Sequence, residues 1–341
     1  MKKTLKRISL LLLCALIAVP LGACNKRQKK HTASYFGYFD SFAEFTLYTD
    51  SEERFEHYSD IVERELKKYH EMLDAYNGYD GKINIYSLNE GAANTPMKPE
   101  PELFAFLKRA KELYDLTDGY TSVTLGAVTA IWKEAIKNGV PPSEESLRTA
   151  AEHTDINDLL LDSENWTVAF ADEQLKLDAG ALGKGFAADC ISDMLCLEGC
   201  KEPFMLNIGG TLAARKEKPD GTPWQAGIQA PNGGELDGVS VNLSRIEYGT
   251  NALSTSGSYH RCFEYGGVLY HHIINPYTLM PENNFTSVSV NCYSSTRADA
   301  LSTALFSMTL EEGQALIDSL KDAEAVWLLA DGNVIKSNGI E

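Results

Sequence analysis

The stretch Asp178-Ala179-Gly180-Ala181-Leu182-Gly183-Lys184-Gly185-Phe186-Ala187-Ala188-Asp189 decides how this chain is read. Before it, Gln174-Leu175-Lys176-Leu177 alternates like a strand; after it, Cys190 to Leu197 has helical spacing. The small residues between leave backbone N–H and C=O groups uncovered where strand turns into helix. A helix start of that kind offers partial positive charge and free donors to an anion. Lys184 adds a cation and Asp178 a carboxylate. Neither common nucleotide loop, G-x-x-x-x-G-K-[ST] or G-x-G-x-x-G, is matched. The plainer alternative is tight packing alone.

Upstream, Lys2, Lys3, Lys6 and Arg7 precede an apolar run from Ile8 to Leu21 that is too short for a membrane span. It ends in Leu21-Gly22-Ala23-Cys24, which resembles a bacterial lipoprotein cleavage box. The expectation is a signal peptide over 1–23, a lipidated Cys24, a flexible cationic tether over 24–34, and one catalytic unit over 35–341. An ordinary secretory signal with an incidental cysteine is the alternative. The lipoprotein reading places the chain on the extracytoplasmic face of a bacterial cell membrane, with Lys26, Arg27, Lys29 and Lys30 near anionic lipid.

The formal charge of the 341 residues is −17. Loss of residues 1–23 would remove cations and no acid, making the remainder more acidic still. Such a body is a poor partner for nucleic acid, and a phosphate site on it must rely on local donors or a metal. Beyond Cys24, the cysteines at 190, 196, 200, 262 and 292 form neither a disulfide framework nor paired C-x-x-C spacing, and most read as apolar fillers.

Helical periodicity covers 58–72 and 101–116, and Ser143 caps a third helix running to 153. Strand-like alternation covers 166–170, 204–208, 224–228, 239–243, 268–274 and 287–290. Helices mixed with hairpin-like strands predict an α+β fold: mixed, largely antiparallel sheets with packed helices.

Several clusters carry chemistry. Gly209 and Gly210 close Asn207-Ile208-Gly209-Gly210, where backbone can approach a ligand, or merely form a bulge. Leu253-Ser254-Thr255-Ser256-Gly257 offers hydroxyls, Thr255 among them, that can hold phosphate or ribose oxygens, though hydroxyl-rich loops often only meet solvent. His271 and His272 are adjacent on a predicted strand and so point to opposite faces. Asp299 and Thr303, one turn apart, offer hard oxygens of the kind Mg²⁺ takes; alternatively Asp299 caps a helix.

In this order, Asp178-Ala-Gly-Ala-Leu-Gly-Lys-Gly-Phe-Ala187, Asn207-Ile-Gly-Gly210, Lys218-Pro-Asp-Gly-Thr-Pro-Trp224, Ala252-Leu-Ser-Thr-Ser-Gly257, Tyr270-His-His-Ile-Ile-Asn-Pro276 and Ala298-Asp-Ala-Leu-Ser-Thr-Ala304 resemble the FAD:protein FMN transferase (ApbE) family. Weaker likeness extends through Phe39-Asp40-Ser41, Leu73-Asp-Ala-Tyr76 and the segment 118–126. The resemblance implies a Mg²⁺-dependent enzyme that cleaves FAD, passes FMN to a Ser or Thr hydroxyl of an extracytoplasmic acceptor protein, and releases AMP. It places the metal on the Ala181 carbonyl, Asp299 and Thr303, and FAD on Phe39, Tyr76, Tyr120, Thr121, Ser122, Asp178 and Lys184. His272 matches the family's proposed base. Ser302 stands where many relatives carry a second Asp, and Asn275 replaces the usual Asp before Pro276. Tyr120-Thr-Ser-Val123 departs from the usual Ala-Phe-Asp-Pro. An FAD pyrophosphatase and a non-catalytic flavin-binding lipoprotein are the competing readings.

Overall fold

The computed structural model describes residues 28–229, 235–243, 251–338 and 340. The expected signal peptide and Cys24 lie outside them. Among the described residues no helix is long and apolar enough to cross a membrane.

Eight strands make one antiparallel sheet: β1 (Lys29–Tyr38), β2 (Ser41–Thr49), β5 (Phe204–Ile208), β6 (Thr211–Arg215), β9 (Asn251–Gly257), β12 (Phe285–Cys292), β13 (Ala323–Leu329) and β14 (Val334–Lys336), in that spatial order. Smaller hairpins pair β3 (Leu159–Asp162) with β4 (Thr167–Phe170), β7 (Trp224–Gln229) with β8 (Glu235–Leu243), and β10 (Cys262–Tyr265) with β11 (Val268–His271). The expected α+β, largely antiparallel architecture is what forms.

One face of the sheet is packed by α1 (Glu52–Leu73), α6 (Gly183–Leu197) and α7 (Ser295–Ser307). The other takes the β7–β8 hairpin, whose Trp224, Ile228, Val241 and Leu243 meet Ala214, Leu253 and Val326. Alternation along β9 follows: Leu253 looks to the hairpin, while Ser254 and Ser256 look to the helices. The remaining helices are α2 (Ile85–Gly91), α3 (Pro101–Leu116), α4 (Gly126–Asn138), α5 (Glu144–Ala151) and α8 (Leu310–Ser319).

Helix α3 has the expected bounds, and Ser143 caps α5 by accepting from Ser146 N at 3.2 Å. Helix α1 begins earlier than expected because Ser51 caps it, accepting from Arg54 N at 3.2 Å. Four readings are corrected. Residues 29–34 are not tether: they begin β1, in which His31, Ala33 and Tyr35 turn inward and Lys30, Thr32 and Ser34 outward. Residues 174–177 pair with no strand beyond a single bridge between Lys176 and Leu125; the Asn89 side chain serves Leu177 instead, donating to its carbonyl at 2.9 Å and accepting from its N–H at 2.7 Å. Strand β11 ends at His271, so His272 sits in the bend beyond it. The hydroxyl run 253–257 is an inner strand rather than a loop. Of the free cysteines, Cys200 and Cys292 are buried, Cys190 and Cys262 half-buried and Cys196 exposed.

Candidate active site

Helix α6 starts at Gly183, within the glycine-rich stretch, and no side chain of its own loop caps it. The cap comes from α7: Asp299 Oδ2 accepts from Gly185 N at 2.9 Å. Asp299 is only 3 % exposed, and its Oδ1 accepts from Ser254 Oγ at 2.8 Å and Thr211 Oγ1 at 3.3 Å. Lys184 Nζ stands 4.0 Å away. Asp299 therefore does cap a helix, but not its own, which Ser294 caps through Arg297 N. The two helices touch because residue 185 is glycine: a Cβ there would meet Ser295 O at 2.2 Å. In return, Asp189 of α6 accepts from Ser295 N at 2.8 Å, Thr296 N at 2.9 Å and Ser294 Oγ at 2.7 Å at the start of α7.

One turn beyond Asp299, Thr303 Oγ1 lies 3.4 Å from Ala181 O and donates to Asp299 O at 3.1 Å. Ser256 Oγ approaches Ser302 Oγ at 3.0 Å and Thr303 Oγ1 at 3.4 Å. The structure thus gathers the carbonyl of Ala181, the hydroxyl of Thr303 and the carboxylate of Asp299 at one helix crossing. Such hard oxygens suit a small divalent cation that keeps waters and takes phosphate as further ligand. Among the described residues no group of three or more His, Cys, Asp or Glu offers a competing all-side-chain site.

Two hairpin tips border this crossing. Gly209 (φ 55°) and Gly210 (φ 90°) form the β5–β6 turn, as a two-residue primed turn requires, and not a bulge. A Cβ on Gly209 would meet Ser41 Oγ at 2.4 Å, so the β1–β2 tip leans on it. Lys184 Nζ reaches Gly209 O at 3.5 Å. The β1–β2 tip is Phe39 (φ 55°) and Asp40 (φ 48°), a bulky residue held in the left-handed region at a steric cost. His70 holds it there: Phe39 N donates to His70 Nδ1 at 3.2 Å and the rings meet edge-on at 5.8 Å.

Farther along, Tyr76 OH donates to Asp178 Oδ2 at 2.8 Å, and Gly180 N donates to Asp178 Oδ1 at 2.7 Å. The exposed Tyr76 ring carries Lys133 Nζ 3.3 Å from its centroid. Protein packed around the hydroxyl end of this partly exposed side chain, and then the Asp178 charge, push the Tyr76 hydroxyl pKa well up, keeping it a donor. The segment 120–122 divides. Tyr120 packs edge-on to Tyr277 at 4.9 Å and Ser122 Oγ meets Thr124 Oγ1 at 2.8 Å. Thr121 is buried and donates to Ala300 O at 2.7 Å, so its side chain holds the fold rather than facing a ligand. Thr255 is not brought to the site: it shares the outer face with Leu253 and bonds Ser289 Oγ at 2.7 Å. Ser254 and Ser256, its neighbours, face Asp299 and Thr303 in its place.

The two histidines part company. His271 is fully buried against Phe306, its Nε2 2.9 Å from Glu282 O and its Nδ1 accepting from Ile273 N at 3.2 Å. His272 reaches solvent, yet protein crowds its ring. That enclosure, and then the charges of Arg261, His271 and Lys184, bring its pKa down to about 3. Its Nδ1 lies 3.1 Å from His260 O, an acceptor only, so Nδ1 bears the proton and Nε2 keeps its lone pair. Asn275 makes no hydrogen bond to His272. It donates to Glu282 Oε1 and Ser307 O, both at 3.1 Å, a pattern an aspartate could not supply. Arg261, which sequence reading passed over, acts on His272 from across the β10–β11 hairpin; no local motif marks it.

A lysine on a helix start capped from the neighbouring helix, a hard-oxygen crossing and an imidazole with a free Nε2 lone pair suit an enzyme of the phosphoryl-transfer class. Residues 39–327 match the model of the ApbE family, and the chain belongs to that family. It is 30% identical over 290 residues to the FAD:protein FMN transferase of Treponema pallidum, covering 81% of this chain and 78% of that one. To the enzyme of the same name from Vibrio cholerae it is 31% identical over 262 residues, covering 76% and 75%. The fold superposes on the ApbE protein of Thermotoga maritima with a TM-score of 0.81 at 24% identity, covering 91% of this chain and 97% of that one. For the flavinyl transferase ApbE of Pseudomonas stutzeri the TM-score is 0.77 at 25% identity, covering 92% and 96%.

Proposed function

We propose that this protein transfers the FMN moiety of FAD to a Ser or Thr hydroxyl of an extracytoplasmic partner protein, with Mg²⁺ as its ion and AMP as leaving product. Its family membership makes it an FAD:protein flavin transferase; the ion, the acceptor hydroxyl and the product are the finer reading. The observation that carries it is the crossing of α6 and α7, where Thr303 meets Ala181 O one turn from Asp299, which caps α6 beside Lys184. When bound there, Mg²⁺ would neutralise charge on the FAD pyrophosphate.

The chain's own groups do the rest. Lys184 draws the pyrophosphate in; the neighbouring Gly183 and Gly185 N–H groups are already bonded to Ala179 O and Asp299 Oδ2. Phe39, Tyr76 and Asp178 offer the neighbouring surface for the flavin nucleotide. His272 Nε2 takes the proton of the acceptor hydroxyl. That oxygen attacks the flavin-side phosphorus, the P–O bond to the bridging oxygen breaks, and the bridging oxygen leaves with AMP. The proton passes from His272 to the leaving phosphate or water. Enclosure is the larger cause of the low proton affinity of His272; the pyrophosphate anion offsets the lesser one, the charges of Arg261 and Lys184.

The test is to incubate the protein with FAD, Mg²⁺ and a candidate extracytoplasmic acceptor, then weigh the acceptor and assay AMP. Acceptor gaining one FMN with matching AMP supports transfer. AMP and free FMN without acceptor modification indicate a pyrophosphatase. Intact FAD indicates a binding lipoprotein. We also propose that Cys24 carries a lipid that holds the enzyme on the outer face of the cell membrane, supported by Leu21-Gly22-Ala23-Cys24.

A further inference from the structure

We propose that Arg261 is a second phosphate-binding cation of this site, gripping the FAD pyrophosphate from the side opposite Lys184; the inference rests on the FAD reading above. The register of the β10–β11 hairpin pairs Cys262 with His271, so Arg261 and His272 form the next facing pair at the hairpin's open neck. That neck is closed by the contact of His272 Nδ1 with His260 O at 3.1 Å. Arg261 sits in the left-handed region, φ 46°, an unfavourable place for a long side chain.

Its guanidinium does little for the fold. It makes one long bond, Nη2 to Asp40 O at 3.4 Å, and among the described residues no carboxylate pairs with it. In a chain of charge −17, an exposed arginine without an acid partner is a cation awaiting an anion. The place is specific. Asp40 belongs to the β1–β2 tip; Ser41 of that tip abuts Gly209; and Gly209 O receives Lys184 Nζ. Arg261 and Lys184 thus flank one hairpin tip, and both charges bear on the His272 ring. A planar guanidinium can bind two oxygens of one phosphate, which a lysine cannot. Placed there, it offsets charge that grows as the phosphate anhydride breaks, while its repulsion adds to the enclosure that lowers the proton affinity of His272.

The experiment uses the whole protein with Arg261→Gln and Arg261→Lys. Three readings are taken: FMN transfer, binding of inorganic pyrophosphate by calorimetry, and the His272 titration by NMR without FAD. Because the side chain is exposed, both variants should melt near wild type. Arg261→Gln should slow transfer about 10²–10³-fold, weaken pyrophosphate binding, and move the His272 midpoint upward. Arg261→Lys should keep the His272 midpoint but recover only part of the rate. Wild-type transfer and pyrophosphate binding in Arg261→Gln would overturn the proposal, as would full recovery by lysine. If wild-type protein itself neither binds pyrophosphate nor releases AMP from FAD, the underlying reading fails instead, and the unmoved Arg261 variants do not enter into it.

Discussion

Asp189 and Asp299 cap each other's helices: the first accepts from Ser295 N and Thr296 N at the start of α7, the second from Gly185 N at the start of α6. Each carboxylate also lies where a helix end carries partial positive charge, which adds to the hydrogen bonds. The clasp fixes the relative slide of the two helices, and so fixes how Thr303 meets the Ala181 carbonyl. Asp299 is thereby a structural cap on one oxygen and a candidate metal ligand with the lone pairs that remain.

Asp299→Ala should therefore fail twice. Loss of the cap costs on the order of 1 kcal/mol, read as a lower denaturation midpoint. Loss of the charged oxygen should reduce Mg²⁺-supported transfer by about 10²-fold or more and remove Mn²⁺ binding seen by electron paramagnetic resonance. Retained Mn²⁺ binding in a folded variant would place the ion elsewhere.

Gly185→Ala tests the clasp without touching any charge. The added methyl would have to displace the Ser295 carbonyl from 2.2 Å and the Asp299 Cβ from 2.8 Å. Overpacking of this kind typically costs about 1–3 kcal/mol. Urea unfolding should show that loss, and the metal affinity should fall with it. An unchanged midpoint would mean the helices are free to separate.

His272→Ala should slow transfer about 10²–10⁴-fold while FAD still binds. His271→Ala should do the reverse. It removes a fully buried ring and its bonds to Glu282 O and Ile273 N, so the loss appears in melting temperature and hardly in the rate of the folded fraction. Slow transfer by a well-folded His271→Ala protein would show that the wrong histidine is assigned.

The same pair makes a prediction for pH. Burial lowers the proton affinity of both histidines in the folded chain. Above the unfolded value of 6.5, neither state holds these protons and the pair adds no pH dependence to stability. As pH falls below it, the unfolded chain takes protons that the native one refuses, so stability declines until His272 itself titrates at about 3. His272→Gln should flatten part of that acid limb in a series of thermal melts. An acid limb as steep as that of wild type would show that His272 takes a proton readily in the folded state.

Cys24→Ser should leave the protein soluble outside the cytoplasm or retained as unprocessed precursor. Membrane fractionation checks this, and full attachment of a correctly cleaved variant would end the lipid-anchor proposal.

Much of this was legible because local rules and tertiary structure agree. Pro101 and Ser143 punctuate their helices as their chemistry requires, and Gly209-Gly210 makes the turn that two such residues favour. The errors share a different cause, in that the deciding partner lies far along the chain. The cations at 26–30 disguised an edge strand whose inward residues His31, Ala33 and Tyr35 start immediately after them. The hydroxyls at 254–256 read as solvated because their partners, Asp299 for Ser254, Ser289 for Thr255 and Ser302 for Ser256, are remote in sequence. Once that run is a strand, its alternation excludes Thr255 and selects Ser254 and Ser256. Asn89 replaces a whole strand for Leu177, which no pattern of alternation reveals.

The early start of β1 also sets a leash. Should Cys24 bear the lipid, only the chain from there to Lys29 separates bilayer from sheet. Fully drawn out, those steps span at most about 18 Å. An enzyme so tied patrols a thin layer of space against the membrane. Its customers must then present their hydroxyl within that layer, as proteins rooted in the same bilayer do, and a freely diffusing acceptor would meet the catalytic face only by coming to the surface itself.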